Sequence, residues 1–213
     1  MIALIKPIFN QDIIFVLLTI SFLLIAILRS SYWKHTKLLL MGIFAQRYAN
    51  QYLREENAFT ERVSFITFLL MSINISLIIL KIIPETSILE TLALIGVVML
   101  FFVIKIGLIL LLGNILRLKD IAKLGIFFSF LFDRALGFFL FPLLVLLYFF
   151  SFDITSCVII TGSLIFLALL ILKLFWLWKI GTNSFGLSHV YIFLYLCTLE
   201  ISPLLLLAKG VVY

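Results

Sequence analysis

Long apolar runs separated by short polar clusters dominate the pattern along this chain. A helix needs about 20 mostly apolar residues to cross the hydrocarbon core of a bilayer, where every backbone polar group must be satisfied internally. Six segments approach that requirement. They are Ile13 to Leu28, extendable into Ser30 and Ser31; Val63 to Ile83, stopped by Pro84; Thr91 to Leu112, interrupted by Lys105; Ala135 to Phe150, containing Pro142; Ser156 to Trp178; and His189 to Ala208, with Glu200 and Pro203 inside. The shorter run Leu124 to Phe132 lies between Lys123 and the Asp133-Arg134 pair and is too short to cross alone. It reads either as an interfacial or re-entrant helix, or as the start of a long, tilted fourth helix that keeps Asp133 and Arg134 near the headgroups. Six crossings follow in either case.

The connection from Arg29 to Arg62 carries a different pattern. From Lys37 to Arg54, Met41, Phe44, Tyr48 and Tyr52 recur at steps of three or four residues, with Gln46, Arg47, Asn50, Gln51 and Arg54 opposite them. That periodicity predicts one amphipathic helix lying at the membrane interface, where Tyr32 and Trp33 also belong. Such a helix is either a docking surface for a partner or an anchor that orients the bundle. The run Arg54, Glu55, Glu56, Glu61, Arg62 reads as a solvated face with weak exposed pairs.

Composition agrees with the pattern: 65% of the 213 residues are hydrophobic and 12% charged, and a soluble fold would leave many of the 23 Phe as exposed patches. The expectation is a single all-α transmembrane domain over residues 1–213, a polytopic helical bundle with the lipid bilayer as its solvent. Its formal charge of +6 is explained by membrane orientation rather than by a nucleic-acid partner. Twelve basic residues fall in the connections after the first, third and fifth spans, counting Lys173 and Lys179 in the last of these, against Lys6, Lys81 and Lys209 on the opposite side. The bias predicts both termini outside the cytoplasm. The first apolar run follows acidic Asp12 and precedes no small-residue cleavage pattern, so it reads as a retained span.

Candidate chemistry is sparse. Lys105 and Glu200 are the ionisable groups read inside spans, where charge is costly and calls for a partner. They lie roughly 11 and 16 Å from the cytoplasmic ends of their spans at 1.5 Å per residue, within reach of each other as an intramembrane pair. That pair acts either as a structural staple or, with Pro203 opening the backbone nearby, in a proton or ion pathway. Asn74, with Ser72 and Ser76, reads as an interhelical hydrogen-bonding group. Cys157 and Cys197 read as free thiols, and His35 and His189 are placed wrongly for haem ligation. Gly162-Ser163-Leu164 has no His in reach for a membrane hydrolase, and neither spaced carboxylates for metal nor a nucleotide-binding motif is present. No catalytic, cofactor or metal site is therefore expected.

The string Tyr191-Ile-Phe-Leu-Tyr195-Leu-Cys197-Thr-Leu-Glu200-Ile-Ser-Pro203-Leu-Leu-Leu-Leu-Ala-Lys209 resembles the closing signature of a Bacteroidota membrane-protein family known only as a domain of unknown function. Ala45-Gln-Arg47-Tyr48-Ala-Asn-Gln51-Tyr-Leu-Arg54-Glu55-Glu56 and the following Arg62 are similar to that family's first cytoplasmic segment. The resemblance implies a multi-pass protein of a bacterial inner membrane. It marks Tyr195, Cys197, Glu200 and Pro203, with Arg47, Arg54 and Glu55, as family positions. The functional expectation is a non-enzymatic subunit that binds or assembles other cell-envelope proteins, such as secretion or surface-motility machinery, or that forms a homo-oligomer. The alternative is a small proton-coupled carrier or channel using the Glu200 and Lys105 pair.

Overall fold

The computed structural model describes residues 9–55, 58–82, 88–115, 119–149 and 152–185. These residues form seven α-helices and no strand. They are α1 (Phe9–Ser31), α2 (Trp33–Gly42), α3 (Gln46–Arg54), α4 (Ala58–Ile82), α5 (Ile88–Ile115), α6 (Lys119–Phe149) and α7 (Phe152–Phe185). Five are long and apolar enough to cross a membrane, with spans Asp12–Ser31, Ala58–Lys81, Ile88–Leu111, Leu124–Phe149 and Ile160–Lys179. The molecule is an all-α polytopic membrane protein. The expected sixth crossing, His189 to Ala208, lies outside the described residues.

Two sequence expectations need correction. The run Leu124 to Phe132 is not interfacial or re-entrant but the start of a long fourth helix, the other alternative, because α6 continues through it and on past Pro142. Asp133 is thus carried about 14 Å into the apolar span that starts at Leu124, at 1.5 Å per residue, rather than lying at its end. The single amphipathic helix expected from Lys37 to Arg54 is broken into α2 and α3, joined by a turn in which Ala45 is extended (φ −142°, ψ 123°). Gly42 closes α2, and a Cβ there would lie 3.3 Å from Ala49, so its bare backbone lets α3 fold back on α2. This folding buries Leu38, Leu39, Ile43, Ala49 and Tyr52, and leaves Met41, Phe44 and Tyr48 exposed. The expected apolar stripe is therefore split: Tyr52 faces protein and its three companions face outward.

The chain's contacts divide into two compact units, residues 1–99 with 134–162 and residues 100–133 with 163–213. In the first, Leu17 and Leu18 of α1, Ile73, Leu77 and Leu80 of α4, and Leu144 and Leu147 of α6 form a buried apolar cluster. Lipid tails are as apolar as these side chains, so burial alone does not hold membrane helices together; close packing and hydrogen bonds do. Both are present. Gly137 of α6 meets α4 so tightly that a Cβ there would lie 2.7 Å from the Met71 Cα. Beside it, the Ser21 hydroxyl donates to Asn74 Oδ1 (3.0 Å), and Asn74 Nδ2 donates to the Gly137 carbonyl (2.8 Å), tying α1, α4 and α6 together. Farther along α6, the Tyr148 hydroxyl donates to the Leu77 carbonyl at 2.7 Å.

In the second unit, Phe128, Phe130, Leu131 and Phe132 of α6 are almost wholly buried. Phe102 of α5 meets Phe130 edge-on at 5.9 Å, and Trp176 of α7 stacks on Phe128 at 6.3 Å. Aromatic rings thus bring parts of α5, α6 and α7 into register around the polar groups described below.

Gly137→Ala must push α4 and α6 apart, because the obstacle is backbone rather than a movable side chain. Thermal unfolding in detergent should show a loss of about 1–3 kcal/mol. Gly96→Ala, at a position where a Cβ meets nothing within 4 Å, should show no loss.

Candidate functional site

Sequence reasoning paired Lys105 with Glu200, which lies outside the described residues. The structure gives Lys105 another partner. Its ammonium donates to Asp133 Oδ2 at 3.3 Å, while Lys173 donates to Oδ1 of the same carboxylate at 2.7 Å. Lys105 belongs to α5, Asp133 to α6 and Lys173 to α7. The two lysines are 7% and 6% exposed, and the Asp133 side chain 19%. All three lie well inside their spans, about 9 Å for each lysine and about 14 Å for Asp133 from the nearer end at 1.5 Å per residue.

The local reasons are legible in the helices. Lys105 follows Phe102 by three positions, and its ammonium lies 5.8 Å from the Phe130 ring, so its charge rests on an aromatic face as well as on a carboxylate. Lys173 precedes Trp176 by three positions, which places it one turn from the ring stacked on Phe128. A carboxylate has two oxygens, and here each accepts one ammonium. Isolated charges in hydrocarbon cost several kcal/mol apiece, and mutual pairing with good hydrogen bonds offsets that cost. Chemically the arrangement can lock three helix segments together.

The sequence reading missed Asp133 by setting it near the headgroups, and missed Lys173 by assigning it to the connection after the fifth span. Both are intramembrane. The available signal was position: Lys173 has apolar neighbours on each side, from Ile171 to Trp178, and Asp133 enters the membrane once α6 is taken as one helix.

A second polar cluster lies in the other unit, where α3, α4 and α6 meet. The Tyr52 hydroxyl donates to the Thr60 carbonyl at 3.0 Å and lies 3.3 Å from Ser64 Oγ, to which Arg134 Nη1 donates at 2.9 Å. Burial pushes the Tyr52 hydroxyl above its ordinary range, against the opposing pull of Ser64 and Arg134. Nearby, Glu55 accepts from Gln51 Nε2 at 3.1 Å and pairs with Lys34 at 3.4 Å, with His35 Nδ1 at 3.7 Å. The Gln51 hydrogen bond, then Lys34 and His35, hold the Glu55 carboxyl below the ordinary glutamate range. Of the family positions expected from sequence, Glu55 is thus engaged across the α2 and α3 pair, Arg47 and Arg54 stand exposed on α3, and Tyr195, Cys197, Glu200 and Pro203 lie outside the described residues. Asn74 makes the interhelical bonds given above. Among the described residues, no group of three or more His, Cys, Asp and Glu side chains comes together as a metal site would require.

Fold and polar clusters define a multi-pass helical membrane protein whose intramembrane polar side chains bridge helices. The chain matches the family described as a domain of unknown function, DUF4271, over residues 14–211, and belongs to it. No curated protein and no solved structure matches it.

Asp133→Ala leaves two ammonium groups facing each other inside the span and should destabilise the protein by about 3–5 kcal/mol. The combined Lys105→Met, Asp133→Leu and Lys173→Met variant should recover most of that loss in the same thermal assay. Glu55 contributes stability that is present above the ordinary glutamate pKa and lost as pH falls through its depressed value. An NMR titration of the Glu55 carboxyl should therefore give a midpoint below the ordinary range, and Gln51→Ala should raise it.

Proposed function

We propose that the chain is a non-enzymatic, multi-pass subunit of a bacterial inner membrane, of Bacteroidota type, that binds or assembles other cell-envelope proteins. Secretion and surface-motility machineries are the kind of assembly it suits. The observation that carries this reading is the use made of polar groups inside the spans: Asn74, Tyr148 and Asp133 each bond across helices. Groups spent in this way build a fixed scaffold. Faces left over for lipid or protein are apolar, as along α5, where Leu92, Val97, Leu100, Val103 and Leu111 are exposed. With Arg134 and Lys173 taken inside their spans, the remaining ten basic residues against three on the opposite side still support placing the α2 and α3 pair in the cytoplasm.

One observation favours a second reading, a small proton-coupled carrier or channel. A carboxylate held between two lysines inside a span is a titratable group of the kind that marks proton and ion pathways. In that reading Asp133 joins the Lys105 and Glu200 pair expected from sequence as a place where a proton is bound and released.

Extraction of native membranes with a gentle detergent should recover the chain in a complex with at least one other envelope protein. A reproducibly lone monomer would count decisively against the subunit reading. The carrier reading instead expects Asp133→Asn or Glu200→Gln to abolish a pH-dependent flux in vesicles while the protein stays folded and assembled.

A further inference from the structure

The α2 and α3 pair is tied to membrane spans at both ends. α2 begins two residues after α1 stops at Ser31, and α3 stops at Arg54, four residues before α4 begins at Ala58. The neighbouring spans end at Ser31 and start at Ala58. Each connecting residue reaches at most about 3.6 Å, so both ends of the pair are held at the headgroup level of one membrane face.

The side chains it leaves exposed are of two kinds. Trp33, Met41, Phe44 and Tyr48 are apolar or aromatic, with Phe44 73% exposed at the turn. Lys37, Arg47 and Arg54 are cationic, exposed, and engaged in no ion pair among the described residues. On α2, Trp33, Lys37 and Met41 recur every four residues, so cation and apolar groups share one exposed stripe. Just before it, the Arg29 guanidinium lies 3.8 Å over the Trp33 ring, an arrangement suited to the headgroup level, where one side of an aromatic is apolar and the other wet. Six basic residues, Arg29, Lys34, Lys37, Arg47, Arg54 and Arg62, outnumber the three acids of this stretch, Glu55, Glu56 and Glu61, and Glu55 is taken up by Gln51 and Lys34.

An apolar partner helix would find unmatched cations on this surface, and an acidic soluble partner would leave Phe44 and Met41 unmatched. A leaflet of anionic phospholipid matches both. We propose that the α2 and α3 pair is a docking surface for anionic phospholipid, with Lys37, Arg47 and Arg54 on the phosphates and Trp33, Met41, Phe44 and Tyr48 at the acyl boundary. The seated orientation gains about fivefold per basic residue near such a leaflet, and up to about a hundredfold for three. High salt weakens it.

The test uses the full chain in vesicles of phosphatidylcholine alone or mixed with phosphatidylglycerol. A bimane label on Asn50→Cys, in a Cys157→Ser and Cys197→Ser background, reports depth through quenching by brominated acyl chains. Quenching should be stronger with phosphatidylglycerol, fall in high salt, and drop to the phosphatidylcholine level in the K37Q/R47Q/R54Q variant. Native mass spectrometry of the unsubstituted chain, which does not depend on the cysteine background, should show phosphatidylglycerol retained in preference to phosphatidylcholine, and the same K37Q/R47Q/R54Q change should remove the preference. Equal quenching in the two vesicles, or equal retention of the two lipids, overturns the proposal. So does a preference that the triple variant leaves intact.

Discussion

Charge has no favourable place in hydrocarbon unless its opposite is brought to it, and that constraint organises the intramembrane part of this protein. Asp133 takes one ammonium on each carboxylate oxygen, from Lys105 at 3.3 Å and Lys173 at 2.7 Å. The three side chains come from three helices, so satisfying the charges also fixes the helix segments that carry them. Aromatic packing of Phe102 on Phe130 and of Trp176 on Phe128 sets the same segments side by side. Of these two effects the ionic one is the more specific. Aromatic rings tolerate sliding, whereas removing one partner of a buried pair strands a charge.

The other unit meets the same solvent mainly with neutral groups, Arg134 excepted. Ser21, Asn74 and the Gly137 carbonyl form a chain of hydrogen bonds across α1, α4 and α6, at the point where Gly137 allows α4 its closest approach. A small residue for proximity and an amide for direction are the two devices that membrane helices use in place of hydrophobic burial. Each such bond is worth only about 1 kcal/mol, so packing around Met71 matters as much as the bonds themselves. Tyr52, Ser64 and Arg134 extend the polar contacts to α3. A helix that looks merely amphipathic in sequence is thereby attached to the spans.

Much of the fold was readable because the hydrocarbon core imposes length and apolarity on every span. The first, second, third and fifth apolar runs coincide with α1, α4, α5 and α7, each helix overshooting its run by three to seven residues at one end or both, since helix formation continues into the interface after hydrophobicity stops. The fourth was left between a short crossing and a long helix because Asp133 and Arg134 read as a boundary, and α6 is the long helix. A pair of charges ends a span only if nothing inside compensates it, and compensation by Lys105 and Lys173 is a tertiary fact that no local window contains. The break between α2 and α3 was hidden for a related reason: Gly42 interrupts a periodic stripe that is otherwise intact, and only the nearness of Ala49 shows what the glycine permits. Lys105 itself was legible as a charge in need of a partner; which acid answers it was not, because sequence depth alone does not choose between carboxylates on different helices.

The central claim is that one intramembrane carboxylate is held by two lysines at once. Its most direct measurement is a solid-state NMR dephasing experiment in lipid bilayers, reading the Asp133 side-chain carboxyl carbon against lysine side-chain nitrogen. Two nearby nitrogens should be detected in the unsubstituted protein, and one should remain in each of Lys105→Met and Lys173→Met. A carboxyl carbon with no lysine nitrogen in range, or dephasing that neither substitution reduces, would contradict the account.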